Sequence, residues 1–514
     1  MKTFDIKPSA FADLLDKEIK ELTSTEIFPH SQILNDLIDQ IQPIDFEALA
    51  FPQVKKLRIE LEELDPEKDK ERAKEIRRQL TKVKVTTKQY RILSIKEIIK
   101  TAVRNNWSLC KNNDQIYLFN GAYFAEIDKE AFQKWLGEAA EELGVHWDNS
   151  QDYRFREELF KQFLATQYLP TPENDKNKVL VNLSNGTFEI SPQGAKLRPF
   201  DRSDFLTYQL PFGFDPKAEA PIFQKYLDRV LPDEERQNVL AEYLGYLFIK
   251  NGSNVLKEEK ALILHGSGAN GKSVFFEIVN ALLGSENVSN YSLKSLTNDN
   301  GYFRAKLANK LLNYASEINN KLESSIFKQL VSGEPVEARS PYGQPFTLSQ
   351  YAKLIFNCNE LPKDVEHTNA YFRRFLIIPF DETIPEDEQD KNLHTKIIEN
   401  ELPGVFNWVL EGLDRLLEQK RFSECLAAQK AVERYKLESD SVLQFLNDGG
   451  YKVSADNHVL IKDLYPEYKL FCLEDGMTPF KKSNFIKQLR TSGLVVDKVA
   501  GNKLAVFIVT TDFD

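Results

Sequence analysis

Cysteine is scarce: Cys110, Cys358, Cys425 and Cys472 are the only four in 514 residues. No two of them form a C-x-x-C pair, which argues against a zinc module and fits a reducing compartment. Long apolar runs are missing as well. Nothing approaches the ~18 residues of a membrane span, and the start, Met1-Lys2-Thr3-Phe4-Asp5, has no signal-peptide core. A soluble, cytoplasmic protein is the expectation. Repeats, collagen-like periods and low-complexity segments are absent too. An excess of positive charge is also lacking, since 67 Lys plus Arg stand against 78 Asp plus Glu, a net charge of −11. A surface that coats any polyanion is thereby excluded, and a nucleic-acid contact has to be local.

What is present is ordinary globular material, 42% hydrophobic and 28% charged, enough for roughly three or four domains at ~150 residues each. Residues 1–93 read as a helical region. Phe11, Leu14, Leu15, Ile19 and Leu22, then Ile33, Leu34, Leu37 and Ile38, recur at helical spacing. Between Lys55 and Lys84 the mixed charge predicts a helical hairpin, its second helix opened by Asp65-Pro66-Glu67. Residues 94–256 predict an α+β unit. Gln115–Phe119 before Asn120-Gly121 reads as strand and turn, and Val179–Leu183, Asn185-Gly186 and Thr187–Ile190 as strand, turn and strand. A helical pair is expected from Phe223 to about Lys250. Residues 257–434 alternate short apolar strands with helices, the pattern of an α/β layer fold. In residues 435–514, helices around Val442–Leu446, Leu464–Phe471 and Ser483–Leu489 precede a strand pair turning at Gly501-Asn502, which resembles a winged helix.

The chemistry lies in the α/β unit. Gly266-Ser267-Gly268-Ala269-Asn270-Gly271-Lys272-Ser273 satisfies GxxxxGK[ST], after the apolar Ala261–Leu264 and before the helical Val274–Leu283. In such a loop glycines let successive N–H groups and the helix N-terminus face phosphate oxygens. Lys272 adds a point charge for the β/γ-phosphates, and Ser273 a hydroxyl for Mg²⁺. The loop predicts nucleoside triphosphate binding without saying what hydrolysis drives. An acid at the end of a neighbouring strand is then needed to hold the metal and polarise the attacking water, and Leu311–Ser316 leads to Glu317. Lys353–Cys358 delivers an amide, Asn359, able to orient water beside the γ-phosphate. Arg373 and Arg374 precede the strand Phe375–Phe380 and suit γ-phosphate charge in the transition state.

The order of these motifs resembles the superfamily 3 helicases of the phage and plasmid primase-helicase type, with poxvirus-type relatives, a branch of the AAA+-like ring ATPases. The matching residues are the loop 266–273, Ser316-Glu317, the segment Phe327–Arg339, Asn359 with Pro362, and Arg373-Arg374 with Ile378-Pro379-Phe380. Upstream, Asn182–Gly186, Phe205–Thr207 and Phe214–Pro216 look like the domain that precedes the ATPase in that family, so the resemblance runs from about Ser94 to the C-terminus. It implies an AAA+-like P-loop ATPase core, flanked by a helical and α+β N-terminal region and a winged-helix-like C-terminal domain. It also implies a homo-hexameric ring that hydrolyses ATP with Mg²⁺ between subunits and moves single-stranded DNA through its channel, 3′ to 5′, for replication of a phage, plasmid or other mobile element. Lys272 and Ser273 then hold phosphate and metal, Glu317 is the catalytic acid, Asn359 senses the γ-phosphate, and Arg373 or Arg374 is the finger given in trans. The family's DNA hairpin corresponds to Ala338–Phe346, with Arg339 and Tyr342 meeting phosphate and base and Lys328 assisting. Polymerising chemistry finds no signature, which leaves a primase to a separate chain. The alternatives are a ring ATPase that loads on or remodels DNA without unwinding it, the helicase part of a primase-helicase, and a nucleotide-binding interaction protein with negligible turnover. Lys481, Lys482, Lys487 and Arg490 make duplex or origin DNA a candidate partner of the C-terminal domain.

Overall fold

The structure, a computed structural model, describes residues 29–510 apart from 66, 113–114, 167–174, 317, 319–322, 342 and 363–365. The periodicity at Phe11–Leu22 therefore lies outside the described residues. The next one forms the helix His30–Asp39, which buries Ile33 and Leu37. The charged stretch is a hairpin of helices Pro52–Glu63 and Lys70–Leu80, clasped by Arg72 on Glu60 at 2.6 Å. Its second helix starts later than Asp65-Pro66-Glu67 predicts. The Asp65 carboxylate accepts from the Glu67 amide at 2.9 Å and closes a turn, a local bond that competes with capping a helix.

Antiparallel sheets of three strands follow: β1 (Ser108–Asn112), β2 (Gln115–Phe119) and β3 (Phe124–Ile127), then β4 (Val179–Leu183), β5 (Gly186–Ser191) and β6 (Gly194–Arg198). The first sheet packs with the helices Thr87–Arg104, Lys129–Glu142 and Tyr153–Thr166 around Phe132 and Phe163. Helices Pro221–Val230 and Glu234–Tyr246 supply the expected helical pair.

The central sheet takes β7 (Ala261–His265), β8 (Val288–Ser289) and β9 (Leu312–Ala315), passes a hairpin of β10 (Val336–Arg339) and β11 (Pro345–Leu348), and adds β12 (Lys353–Cys358) and β13 (Phe375–Pro379). Its five strands lie in the order β13-β7-β12-β9-β8, every pairing parallel. Parallel strands covered on both faces read as continuous apolar runs. Here Leu262, Leu264, Leu376 and Ile378 enter one core, and Ala261, Ile263, Phe375 and Ile377 the other. The first of these cores continues from β4 and β5 through the helix Lys272–Leu283 to the long helix Leu402–Gln419. Beyond the helix Leu426–Ser439 come the helices Ser441–Asp448, Ile461–Glu474 and Lys482–Thr491. With them are β14 (Tyr451–Val453), β15 (Val459–Leu460), β16 (Val496–Val499), β17 (Lys503–Val506) and β18 (Ile508–Thr510), paired as β15-β17-β16 and β14-β18 around a core of their own. Among the described residues no helix is long and apolar enough to cross a membrane.

Candidate functional site

The chain leaves β7 at His265, turns through Gly266–Gly271 and enters the helix beginning at Lys272. Two glycines there are sterically required. A Cβ on Gly266 would lie 2.1 Å from Asn270 Nδ2 and 2.5 Å from the Phe380 carbonyl. Gly271 has φ +85°, and its Cβ would lie 2.6 Å from Val230 Cγ1. The loop is pinned by its neighbours. The Gly266 amide donates to the Cys358 carbonyl at 3.1 Å, and the Ile384 amide to the Ala269 carbonyl at 2.8 Å. Asn270 Nδ2 donates to the Phe380 carbonyl at 3.0 Å, and the Tyr226 hydroxyl to the Gly271 carbonyl at 2.9 Å. Lys272 is buried, and its Nζ donates to the Gly266 carbonyl at 2.7 Å and to Asn270 Oδ1 at 3.0 Å. Both acceptors are neutral dipoles, and burial holds the ammonium below the usual lysine pKa.

A cavity of about 680 Å³ opens on Gly268, Ala269, Asn270 and Gly271 and on Lys272 and Ser273. Asn357, Asn359 and Ser316, from the ends of β12 and β9, form a polar wall. Ile222, Tyr226, Val230 and Leu393 form an apolar one. In open parallel sheets this crevice beyond the carboxyl ends of the strands is where ligands bind. Asn359 thus joins the loop, and so does Asn357, which accepts from the Tyr314 hydroxyl at 2.9 Å and carries no motif of its own. Glu317 lies outside the described residues. A second cavity, about 960 Å³, flanks the loop at Ser267 and His265 and is lined by Lys430 and Arg434 of the helix Leu426–Ser439. Burial, with Arg434 and Lys272 nearby, keeps the His265 imidazole below its ordinary pKa.

Arg373 and Arg374 stand apart from this crevice. The Arg374 carbonyl accepts from the Ala261 amide at 2.8 Å, so both arginines sit where β13 and β7 begin. The loop is at the other end, about 16 Å away along five residues of strand. Arg374 is buried, donating to Ser332 Oγ at 2.9 Å and lying 3.3 Å from Glu259. Arg373 has 64% of its side chain exposed and touches Glu259 at 3.2 Å.

The predicted hairpin is β10 and β11, with Val336 and Ala338 turned inward and Glu337 and Arg339 outward. Arg339 Nε donates across the turn to the Gly343 carbonyl at 2.9 Å. Tyr342 lies outside the described residues. Lys328, on the helix Ser324–Ser332, is ion-paired with Glu366 at 2.8 Å. That ammonium and the Ser324 hydroxyl hold the Glu366 carboxyl down to about 2. A DNA phosphate reaching Lys328 would compete with this carboxylate.

Residues 96–232 match a family model described as D5 N terminal like, and residues 264–374 match a family of unknown function, DUF5906. Viral proteins described as "Putative helicase" are similar. That of Acanthamoeba polyphaga mimivirus is 25% identical over 346 residues, 60% of this chain and 34% of its own length. That of Invertebrate iridescent virus 3 is 22% identical over 359 residues, 62% of this chain and 37% of its own length. The chain therefore spans little more than a third of the length of these curated relatives. Two apo structures of the NrS-1 C terminal region cover 80% of this chain and 98% of their own, at 15% and 16% identity with TM-scores of 0.47 and 0.49. The D5 N-terminal-like match and the viral relatives bear out the resemblance to the phage and viral primase-helicase type.

Proposed function

From that resemblance and the crevice around Lys272, we propose that this chain is the ATP-hydrolysing motor of a replicative DNA helicase. It works as a ring, in the family a hexamer, that moves along single-stranded DNA from 3′ to 5′. The loop at the carboxyl end of β7, with Lys272 held, among the described residues, by neutral acceptors alone, is the observation that carries the reading. Phosphate oxygens can replace the Gly266 carbonyl and the Asn270 amide as acceptors for Lys272 and draw on the loop amides and the helix N-terminus. The apolar side of the cavity, Ile222, Tyr226, Val230 and Leu393, suits a base. Ser273 and Glu317 would hold Mg²⁺, which supplies charge neutralisation across the β- and γ-phosphates. Glu317 takes the proton of the attacking water, Asn359 orients that water, and an arginine from the adjacent subunit meets the developing γ-phosphate charge.

ATP turnover by the purified protein, with and without single-stranded DNA, tests this. DNA-stimulated turnover and strand displacement on forked duplexes are the expected results. Turnover that ignores DNA, with no DNA binding, removes the motor; DNA-stimulated turnover without displacement leaves the loading or remodelling ATPase. Glu317→Gln is expected to keep nucleotide binding and lower kcat by on the order of 10²–10⁴, the usual worth of a general base. Equal turnover in that variant removes Glu317 from the chemistry.

A second interface belongs to the same reading. Lys481, Lys482, Lys487 and Arg490 are exposed on or beside the helix Lys482–Thr491. Asn502, at φ +58°, closes the turn from β16 to β17 next to it. A winged-helix-like contact with duplex DNA follows from that arrangement. Alanine at all four cations is expected to weaken duplex binding at least ~10-fold at fixed salt. The slope of log K against log salt should fall by about 0.9 for each phosphate that the variant no longer neutralises. An unchanged slope assigns the four to solvent.

A further inference from the structure

A third cavity, about 280 Å³, lies between the D5 N-terminal-like unit and the amino ends of the central strands. Its cationic lining is unusual. Lys250, Lys310 and Lys353 all border it, and none of the described lining residues is Asp or Glu. Lys353 opens β12, at the opposite end of that strand from Asn359. Its Nζ donates to Asn251 Oδ1 and stands 4.5 Å from the centroid of the Tyr246 ring. At the rim Phe205 adopts φ +44°, a left-handed conformation that is strained for a bulky side chain and is kept where the surroundings enforce it. Its ring packs on Tyr117 at 5.2 Å and Phe124 at 4.8 Å. Phe346, exposed on β11 on the same face of the hairpin as its partner Ala338, borders the same cavity, so the recess runs into the hairpin that carries Arg339.

We propose that this recess is a binding site for the phosphate group of a nucleotide unit, gripped by Lys250 and Lys353 with Phe346 offered to the base. Concave cations with no carboxylate among them focus a field on an anion, and an aromatic ring beside such a groove is the usual platform for an unpaired base. A polynucleotide strand lying along the hairpin and a free mononucleotide share this chemistry. The site stands at the other end of the sheet from the Lys272 loop, so its test requires no hydrolysis and stands or falls apart from the motor.

Burial adds a pH signature. It lowers the Lys353 ammonium to about 7 and that of Lys250 to about 8. The groups facing Lys353 are the Tyr246 and Tyr351 phenols, with Glu258 and Glu334 beyond them; burial pushes both phenols up, so they stay neutral. Lys250 faces Asp204, which is ion-paired with Arg198 at 2.8 Å. The Tyr117 and Tyr208 phenols on the same cavity are likewise pushed up by burial. The lysines therefore titrate within reach of neutral pH, and an anion bound there takes up protons. Affinity falls as pH rises from about 6.5 to 9, because each lysine loses its charge above its lowered pKa.

The experiment measures binding of oligothymidylate, dTMP and inorganic phosphate without ATP, at fixed salt, to the native chain and to Lys353→Met and Lys250→Met. Each variant is expected to lose at least ~10-fold in affinity, to flatten the pH dependence, and to keep or raise its Tm, since a buried charge has been removed. Loss confined to dTMP and phosphate supports the site and assigns it to free nucleotide; loss for oligothymidylate assigns it to the strand. Unchanged affinity for all three probes, or a Tm that falls in both variants with no change in the pH profile, overturns the proposal.

Discussion

Lys272→Ala is expected to abolish ATP turnover while leaving the fold standing. In the free protein the ammonium contributes hydrogen bonds to the Gly266 carbonyl and Asn270 Oδ1, but burial works against its charge. Removing it gives up two bonds worth about 1 kcal/mol each and relieves a desolvation cost of similar size. The loop keeps its other ties, through Cys358, Phe380, Ile384 and Tyr226. With nucleotide bound the balance is different. A unit charge about 4 Å from a phosphate oxygen is worth about 4 kcal/mol at an effective dielectric of ~20. That is close to 10³ in rate. Phosphate release and a thermal melt on the same preparation decide the point. Turnover above a tenth of native removes Lys272 from phosphate binding, and a collapsed Tm makes it a structural lysine.

The parts of this site legible in the sequence are those whose physics is local. β7, β9, β12 and β13 are short apolar runs because each is covered on both faces. Gly266 and Gly271 stand where a Cβ has no room, and Gly268 at φ +114°, so the spacing alone exposes them. Tyr226 and the Phe380–Ile384 segment, which clamp the loop, carry no such signal. They come from a helix before the loop and from the chain after the last core strand, and only the tertiary fold brings them together. Asn357 is hidden for a different reason: near the end of an otherwise buried apolar run its amide looks like any half-buried polar residue. An aspartate before Pro-Glu suits a helix cap and a turn alike, and at Asp65 the bond to the Glu67 amide selects the turn. The hairpin of β10 and β11 is readable from Ser340, Pro341 and Gly343, turn residues between two alternating segments.

Arg373 and Arg374 are adjacent and chemically identical in sequence, yet the fold separates their roles, and the largest contrast between two variants is expected here. Arg374 has 10% of its side chain exposed and is held by Ser332, Ala370 and Glu259. Truncating it removes a buried side chain and its charged hydrogen bond to Ser332, while the half-buried Glu259 keeps Arg373 and Lys257, a loss of roughly 1.5–3 kcal/mol that a thermal melt reads directly. Arg373, 64% exposed with one ion pair to Glu259, is worth at most about 1 kcal/mol to the fold. Its guanidinium is free to reach another molecule, and the intervening strand keeps it from its own loop. As the finger given in trans, Arg373→Ala is expected to lower kcat by about 10³ or more with an unchanged Tm. Mixing supplies the decisive control. Lys272→Ala subunits retain the arginine, and Arg373→Ala subunits retain the loop, so random co-assembly makes about a quarter of the interfaces of a head-to-tail ring complete. Two inactive preparations should then recover activity together. If the mixture stays silent while co-assembly is demonstrated by mass, the guanidinium does not act across the interface. Catalysis would then have to draw its cation from the loop's own chain, where Lys430 and Arg434 border the crevice at Ser267.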